Sequence, residues 1–408
     1  MTHLAVRVRF WEEEAMPWPT LSMKESRMEF VRRALQADAN FAQLCREYGI
    51  ARKTGYKWKE RALVDGMNGV RERSRRPQSS PGKLDETTVC RLVALKLAHP
   101  RWGPKKLCVL YGKAHGQAPS VSSCHRVLGQ VGLVAARKRR VRPIGQRLSA
   151  ALVPEEPNDV WTVDFKGWWM LGCGTRCEPL TVRDAFSRYV LATVVPTSTG
   201  SDSIRSIFVQ LFKQHGLPKV IRSDNGSPFA SVTAPMGLSR LSSWWISLGI
   251  DLARGRPGHP QDNGAHERMH GDIASEIAAH VQTDRAAQQA ALDLWRQEYN
   301  SVRPHEALNN RTPAELYRRS DRHYVETEPE YGAGFFVRKV SANGTMRWYT
   351  ANIFISAALA GHAIGLRKTP DQLYDVWLYH LYLGTLDPQT CAFRAAPSRV
   401  TERTRLTA

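Results

Sequence analysis

Three acidic residues, each set in a distinct local context, constrain this chain more than any other feature. Asp164 lies in Val160–Phe165, an apolar, aromatic-rich run that reads as a β-strand. Asp224 follows a second short strand, Pro218–Arg222, and opens the turn Asp224-Asn225-Gly226. Glu267 falls near the start of a long helical pattern, Gly264–Val281. One strand, a neighbouring strand end and a covering helix can deliver three carboxylates to one place. Hard divalent cations prefer oxygen ligands, and a pair of them about 4 Å apart serves in-line displacement at phosphorus. The pattern points to an α/β layer and to metal-assisted phosphodiester chemistry.

Trp161-x-x-Asp164, Ser223-Asp224-Asn225-Gly226-x-x-Phe229 and Pro260-Gln261-x-Asn263-Gly264-x-x-Glu267 resemble, in this order, the three acidic motifs of retroviral integrases and bacterial insertion-sequence transposases. The resemblance extends over most of the chain from about Met16. It implies a ribonuclease-H-like α/β core with a mixed sheet. It also implies a catalytic triad of Asp164, Asp224 and Glu267 that binds a pair of Mg²⁺ or Mn²⁺ ions. Asn225, Gly226, Asn263 and Gly264 would support that site, Asn263 as a helix cap. The implied reaction hydrolyses a DNA phosphodiester to a 3′-hydroxyl, which then attacks target DNA without a covalent enzyme intermediate.

Two departures from the family pattern stand out. The chain places 42 residues between Asp224 and Glu267, more than the family usually has, and the excess is expected in Ala230–Trp245. Many relatives carry basic residues four and seven positions after the Glu, where this chain has Gly271 and Ala274. Contact with a DNA end is then expected from Arg268.

The net charge of +20 is unevenly placed. Residues 1–150 hold 30 Lys and Arg against 12 Asp and Glu, whereas residues 151–408 hold 28 against 26. A basic front half before a near-neutral back half predicts DNA-binding modules fused to an enzymatic core. Residues 23–69 read as a helix-turn-helix domain, with Met28, Val31, Leu35, Phe41, Leu44 and Tyr48 at helical spacing and Gly49-Ile50 as the turn. Ala51–Val64 is the expected recognition helix, presenting Arg52, Lys53, Lys57 and Lys59 to the major groove, with Tyr56 and Trp58 near the packing face. Gly55 is a weak point in that helix, since glycine costs about 1 kcal/mol there.

A polar linker, 70–83, leads into 84–134, where helices are expected over Asp85–Ala98, Pro104–Gly112 and Ser120–Gln130. The residues alone define a small helical domain. The family resemblance makes it a second helix-turn-helix-like unit, with Ser122, Ser123 and Arg126 facing DNA. The basic linker 135–157 contains Arg137-Lys138-Arg139-Arg140, expected to lie on phosphate.

The catalytic core is expected over 158–320. Strands Val160–Phe165, Glu178–Arg183 and Tyr189–Val195 form a meander, and Ser201–His215 and Asp284–Asn300 are amphipathic helices. Asp184 is a tempting fourth carboxylate, but a turn aspartate bonding its own backbone is the better reading. His266-Glu267-Arg-Met-His270 matches the zinc-protease pattern; without a third ligand, and with Asp164, Asp224 and the basic front half unexplained, that reading fails. His266 and His270 are expected to be solvated beside the site. Residues 325–395 read as a small β-barrel-like domain, with strands Phe335–Val340, Met346–Tyr349, Ala363–Leu366 and Tyr374–Leu378. The basic tail from Arg394, chiefly 396–408, and the leader 1–22 are expected to be disordered, or the leader mis-started.

Seven scattered cysteines make no disulfide framework or zinc site, and Cys173-x-x-x-Cys177 reads as a hairpin loop. No stretch is long and apolar enough to span a bilayer, so a bacterial cytoplasmic, nucleoid-associated protein without a membrane partner is expected. Expected partners are double-stranded DNA, as terminal inverted repeats and target, and further copies of the chain as a dimer or tetramer on DNA. The competing function is a DNA-binding regulator that uses the helix-turn-helix domains without catalysis. A ribonuclease H is disfavoured because those enzymes generally use four carboxylates.

Overall fold

The computed structural model describes residues 22–74, 83–134, 153–231, 234–255, 264–326 and 329–396. The chain divides at Lys83 into two compact units. The first holds three helices, α1 (Met23–Ala34), α2 (Phe41–Glu47) and α3 (Arg52–Asp65). Ser22 and Glu25 form a capping box on α1, and Asn40 caps α2. Phe30, Val31, Leu44, Cys45, Trp58 and Ala62 fill the space between the helices. Gly55 proves to be a requirement of this packing. A Cβ there would meet Cys45 Sγ at 2.7 Å and the ring ends of Phe30 and Phe41 at 2.9 Å. Absence of a side chain lets α3 settle onto α1 and α2, which outweighs its poor helix propensity.

The second unit opens with α4 (Glu86–Ala98), α5 (Pro104–His115) and α6 (Val121–Gln130). Asp85 and Ser120 cap their helices, and Pro104 sits in the first turn of α5. Leu92, Trp102, Leu107, Cys124 and Leu128 form the core of this bundle. The bundle is fastened to the segment 298–315 by Lys105–Glu306 at 2.6 Å, Lys113–Glu315 at 2.5 Å and His99–Glu298 at 3.1 Å. Between them the Arg303 guanidinium lies 5.6 Å from the Trp102 ring centroid.

The central layer comprises β1 (Val160–Phe165), a small hairpin of β2 (Trp169–Met170) and β3 (Arg176–Cys177), then β4 (Leu180–Asp184) and β5 (Val190–Val194). Helix α7 (Ser201–His215), β6 (Val220–Ser223), α8 (Arg240–Ser247), β7 (Asp251–Arg254), α9 (Gly264–Ile273) and α10 (Arg285–Ser301) follow. The sheet runs β5-β4-β1-β6-β7, with β1 antiparallel to β4 but parallel to β6. It is the expected mixed sheet. Successive strand side chains alternate between faces. Trp161, Val163, Val182 and Ile221 therefore pack with Ile204, Phe208 and Trp245 of α7 and α8. Thr162 and Thr181 look the other way, onto α9. Past Ile273 the helix widens into a π-turn over Ala274–Ala278. There Asp272 and Glu276 both bind Arg303, which is buried and also faces Trp295 and Tyr299.

The C-terminal region contains β8 (Phe336–Lys339), β9 (Thr345–Trp348), β10 (Ala351–Phe354), β11 (Ala363–Lys368), β12 (Tyr374–Leu378), β13 (Leu381–Asp387) and β14 (Ala392–Ala395). Five strands form an antiparallel sheet, β14-β13-β12-β11-β8, and the β9–β10 hairpin leans on its two edge strands. Strands β10, β13 and β14 add to the four expected, and Arg394, read as the start of a disordered tail, pairs with Thr385. The segment Ala230–Trp245 is a buttress. Met236 and Leu238, with the adjoining Ile246, enter the core of the C-terminal sheet, while Trp244 and Trp245 enter that of the central layer. Among the described residues no helix is long and apolar enough to cross a membrane. The leader 1–21, the run Arg137–Arg140, Asn263 and the tail 397–408 lie outside the described residues.

Candidate active site

Parallel pairing of β1 with β6 sets Val160 opposite Val220, Trp161 opposite Ile221 and Thr162 opposite Arg222. Continued along both strands, this register carries Asp164 level with Asp224, which stands one residue past the end of β6. Glu267 projects from the first turn of α9, the helix that covers this edge. Burial, and then the facing Asp224 and Glu267 carboxylates, push the Asp164 carboxyl up to about 6. The three acidic groups thus lie within electrostatic reach of one another. Asp224 and Glu267 are exposed and Asp164 is half-buried.

The turn after β6 is shaped around Asp224. A Cβ on Gly226 would sit 2.8 Å from Asp224 Oδ2, so a side chain there would turn the carboxylate aside. Asn225 donates its side-chain amide to the Gly255 carbonyl at 2.9 Å and ties the turn to the end of β7. Arg254, also at that end, donates to the carbonyls of Phe229 and Gly237 and feels the charge of Asp224. Lys166 similarly faces Asp164. Both cations escaped the sequence reading. Lys166 was within sight, two residues beyond Asp164, whereas Arg254 reaches the site only through the pairing of β6 with β7.

Helix α9 is anchored by groups expected to be solvated. His266 is fully buried and His270 largely so. Thr181 Oγ1 lies 2.9 Å from the Asp164 carbonyl, 2.7 Å from His266 Nε2 and 2.8 Å from His270 Nε2. A carbonyl only accepts, so the hydroxyl proton goes to Asp164, and both imidazoles donate to the two remaining lone pairs. His266 Nδ1 lies 2.8 Å from Thr162 Oγ1, which is also 3.3 Å from the Arg183 carbonyl. In the neutral ring, His270 Nδ1 turns a lone pair toward Asp164 Oδ2, 3.9 Å away. Burial keeps both imidazoles neutral: His270 is pushed down to about 4, and His266 lies far below the ordinary range. The buried Arg183 completes the anchorage by donating to the Ala265 carbonyl at 2.9 Å.

This network disposes of the zinc-protease pattern, because both ring nitrogens of His266 are engaged by threonines. Asp184 takes the turn role expected of it. It is fully buried at the opposite end of β4, accepting from the Ser187 amide at 2.7 Å and the Asn158 amide at 2.8 Å. Among the described residues no three His, Cys, Asp or Glu side chains are so placed that they could hold a metal ion.

The residues expected to touch DNA are distributed over separate surfaces. Arg52, Lys53 and Lys57 are exposed along α3, whereas Lys59 is half-buried with its ammonium 5.7 Å from the Phe41 ring centroid. Ser122 and Arg126 are exposed on α6, but the Ser123 hydroxyl is engaged by the Ser120 cap. Arg268 is exposed beside Glu267, as are Gly271 and Ala274.

An integrase core domain family model matches residues 154–260, a second integrase core domain model matches 248–313, and a homeodomain-like domain model matches 54–128. Residues 154–313 are therefore of the integrase-core class, preceded by a homeodomain-like segment. The relatives narrow it further. The chain is 29% identical over 239 residues to the insertion element IS407 uncharacterized 31.7 kDa protein of Burkholderia multivorans, spanning 58% of this chain and 83% of that one. It is 26% identical over 164 residues to the transposase for insertion sequence element IS904 of Lactococcus lactis, spanning 39% of this chain and 61% of that protein. Among solved structures, the HTLV-2 integrase catalytic core domain in complex with magnesium aligns at 18% identity with a TM-score of 0.32, covering 40% of this chain and 99% of that domain. The chain is thus similar, through its integrase core, to proteins of bacterial insertion elements.

Proposed function

We propose that the protein nicks the ends of an insertion sequence by metal-dependent phosphodiester hydrolysis and joins the freed 3′-hydroxyl to target DNA. The register of β1 and β6 carries this reading, because it sets Asp164 and Asp224 level on adjacent parallel strands beneath the helix of Glu267. Three carboxylates, with the nearby imidazoles tied to threonine, form a hard oxygen donor set of the kind Mg²⁺ or Mn²⁺ takes. Asp164, Asp224 and Glu267 would hold those ions, which supply an activated water and neutralise charge on the phosphate oxygens.

The chain's own residues do the positioning. Thr181 fixes the strand end at Asp164, Gly226 leaves Asp224 free to turn inward, and Arg183 sets the start of the Glu267 helix. Asn225 braces the turn, while Gly264 begins the helix. Lys166, Arg254 and Arg268 offer positive charge to an incoming phosphate. Arg52, Lys53 and Lys57 on α3, with Ser122 and Arg126 on α6, would read the terminal inverted repeats. Two ends and a target must meet, so the active form is an oligomer on DNA.

The test incubates full-length protein with labelled DNA carrying the element's ends, in Mg²⁺ or EDTA, beside Asp224→Asn. Nicking at the end junction in Mg²⁺ alone, reduced to background by the substitution, is expected. Specific binding without cleavage by either protein would replace this reading with that of a regulator. That second reading draws on Gly271 and Ala274, which are exposed and carry no charge on the segment that follows Glu267.

A further inference from the structure

A basic cleft of about 740 Å³ opens between the core and the C-terminal sheet, on α7, α8 and the strands β8 to β10. Arg205 and Arg240 enter it from the core, and Lys339 and Arg347 from the sheet. Asp202 is the one acidic side chain among its described lining residues. Arg205 is held in place, pairing with Glu326 at 2.6 Å while its guanidinium lies 4.9 Å from the Trp244 ring centroid. Arg240, Lys339 and Arg347 are exposed and have no carboxylate partner among the described residues. Ser201 and Arg240 also place the first turns of α7 and α8 on the cleft, where helix dipoles add positive potential.

The cleft lies across the sheet from the carboxylates. Trp161 and Val163 of β1 point into the α7–α8 layer, so Thr162 and Asp164, alternating with them, point toward α9. A phosphate held in the cleft is therefore not the one that reacts.

We infer that this cleft grips the phosphodiester backbone of double-stranded DNA at a distance from the reacting end, an inference that rests on the reading of the chain as a DNA transposase. The chemistry recognised is a row of phosphates, which a duplex or a short free polyphosphate could supply, and the spread of cations over two separate walls favours the duplex. The test measures duplex affinity against salt for the full chain, for a variant combining Arg240→Gln, Lys339→Gln and Arg347→Gln, and for Asp202→Asn. Each lost phosphate contact removes about 0.9 from the slope of log K against log salt, so the triple variant should lose about 2 to 3. Asp202→Asn should tighten binding, a gain that misfolding does not mimic.

An unchanged slope together with unchanged affinity in Asp202→Asn overturns the inference. If the wild type still nicks element ends in Mg²⁺, the transposase reading then survives it. Should wild-type protein neither bind nor nick duplex, both fall together. Tripolyphosphate run in parallel by calorimetry separates the sources. Binding of it that the triple variant loses, with the duplex slope intact, assigns the cleft to a small polyanion and overturns the duplex assignment.

Discussion

Asp164 carries a carboxyl that its surroundings favour in the protonated form. Burial and two facing carboxylates hold it near 6, above its ordinary value, so the folded state binds that proton more tightly than the unfolded state does. Its contribution to stability is complete below the ordinary aspartate range and disappears as pH rises through about 6. Asp164→Asn, which cannot ionise, should therefore stabilise the metal-free protein at about pH 7.5 and change little at about pH 4. Thermal unfolding in EDTA reads this directly; an equal effect at both pH values would contradict it. Addition of Mg²⁺ should reverse the advantage, because the wild type then gains a ligand that the variant binds poorly. The three carboxylates were legible because each sits in a motif with its own turn or helix start. The Thr181 network was not, since its members are united only by the pairing of β1 with β4 and the docking of α9.

Helices were read well where apolar residues recur at their natural period, as α1, α2 and α7 do. The strands missed were β10, β13 and β14, and they share a cause. Each follows a turn made by a non-glycine residue in the left-handed region, Tyr349 (φ 50°), Tyr379 (φ 53°) or Cys391 (φ 50°). Hairpin turns are normally announced by glycine or asparagine at such positions, and here the signal is absent. Gly55 taught the opposite lesson, since a glycine that looked like a flaw in a helix is the contact on which the helix rests. Gly55→Ala gains up to about 1 kcal/mol of helix propensity. It also forces a methyl against the buried Cys45 and Phe30, at a cost of about 1–3 kcal/mol. The expected net result is faster hydrogen exchange across α1 to α3 in the full chain. Slower exchange there would show that the neighbours yield more readily than their burial implies.

The charge asymmetry pointed to helical modules ahead of a separate core, as the homeodomain-like and integrase-core segments bear out, but gave no hint that the second helical module is fastened to the core. Beside the ion pairs at its surface, that attachment includes Arg303, far from the module in sequence and enclosed by Trp102, Trp295, Tyr299, Asp272 and Glu276. Removing one partner of a buried ion pair typically costs about 3–5 kcal/mol. Arg303→Met should accordingly loosen both α4 to α6 and the far end of α9 in hydrogen exchange, leaving α1 to α3 unchanged. Protection lost from only one of the two would show that the arginine does not join them. Because Asp272 and Glu276 lie on the helix that bears Glu267, this residue couples two tasks. Tension from DNA pulling on the second module would pass through two guanidinium groups, Arg303 and the Arg101 that donates to the Ser275 carbonyl, into the helix that carries the third carboxylate.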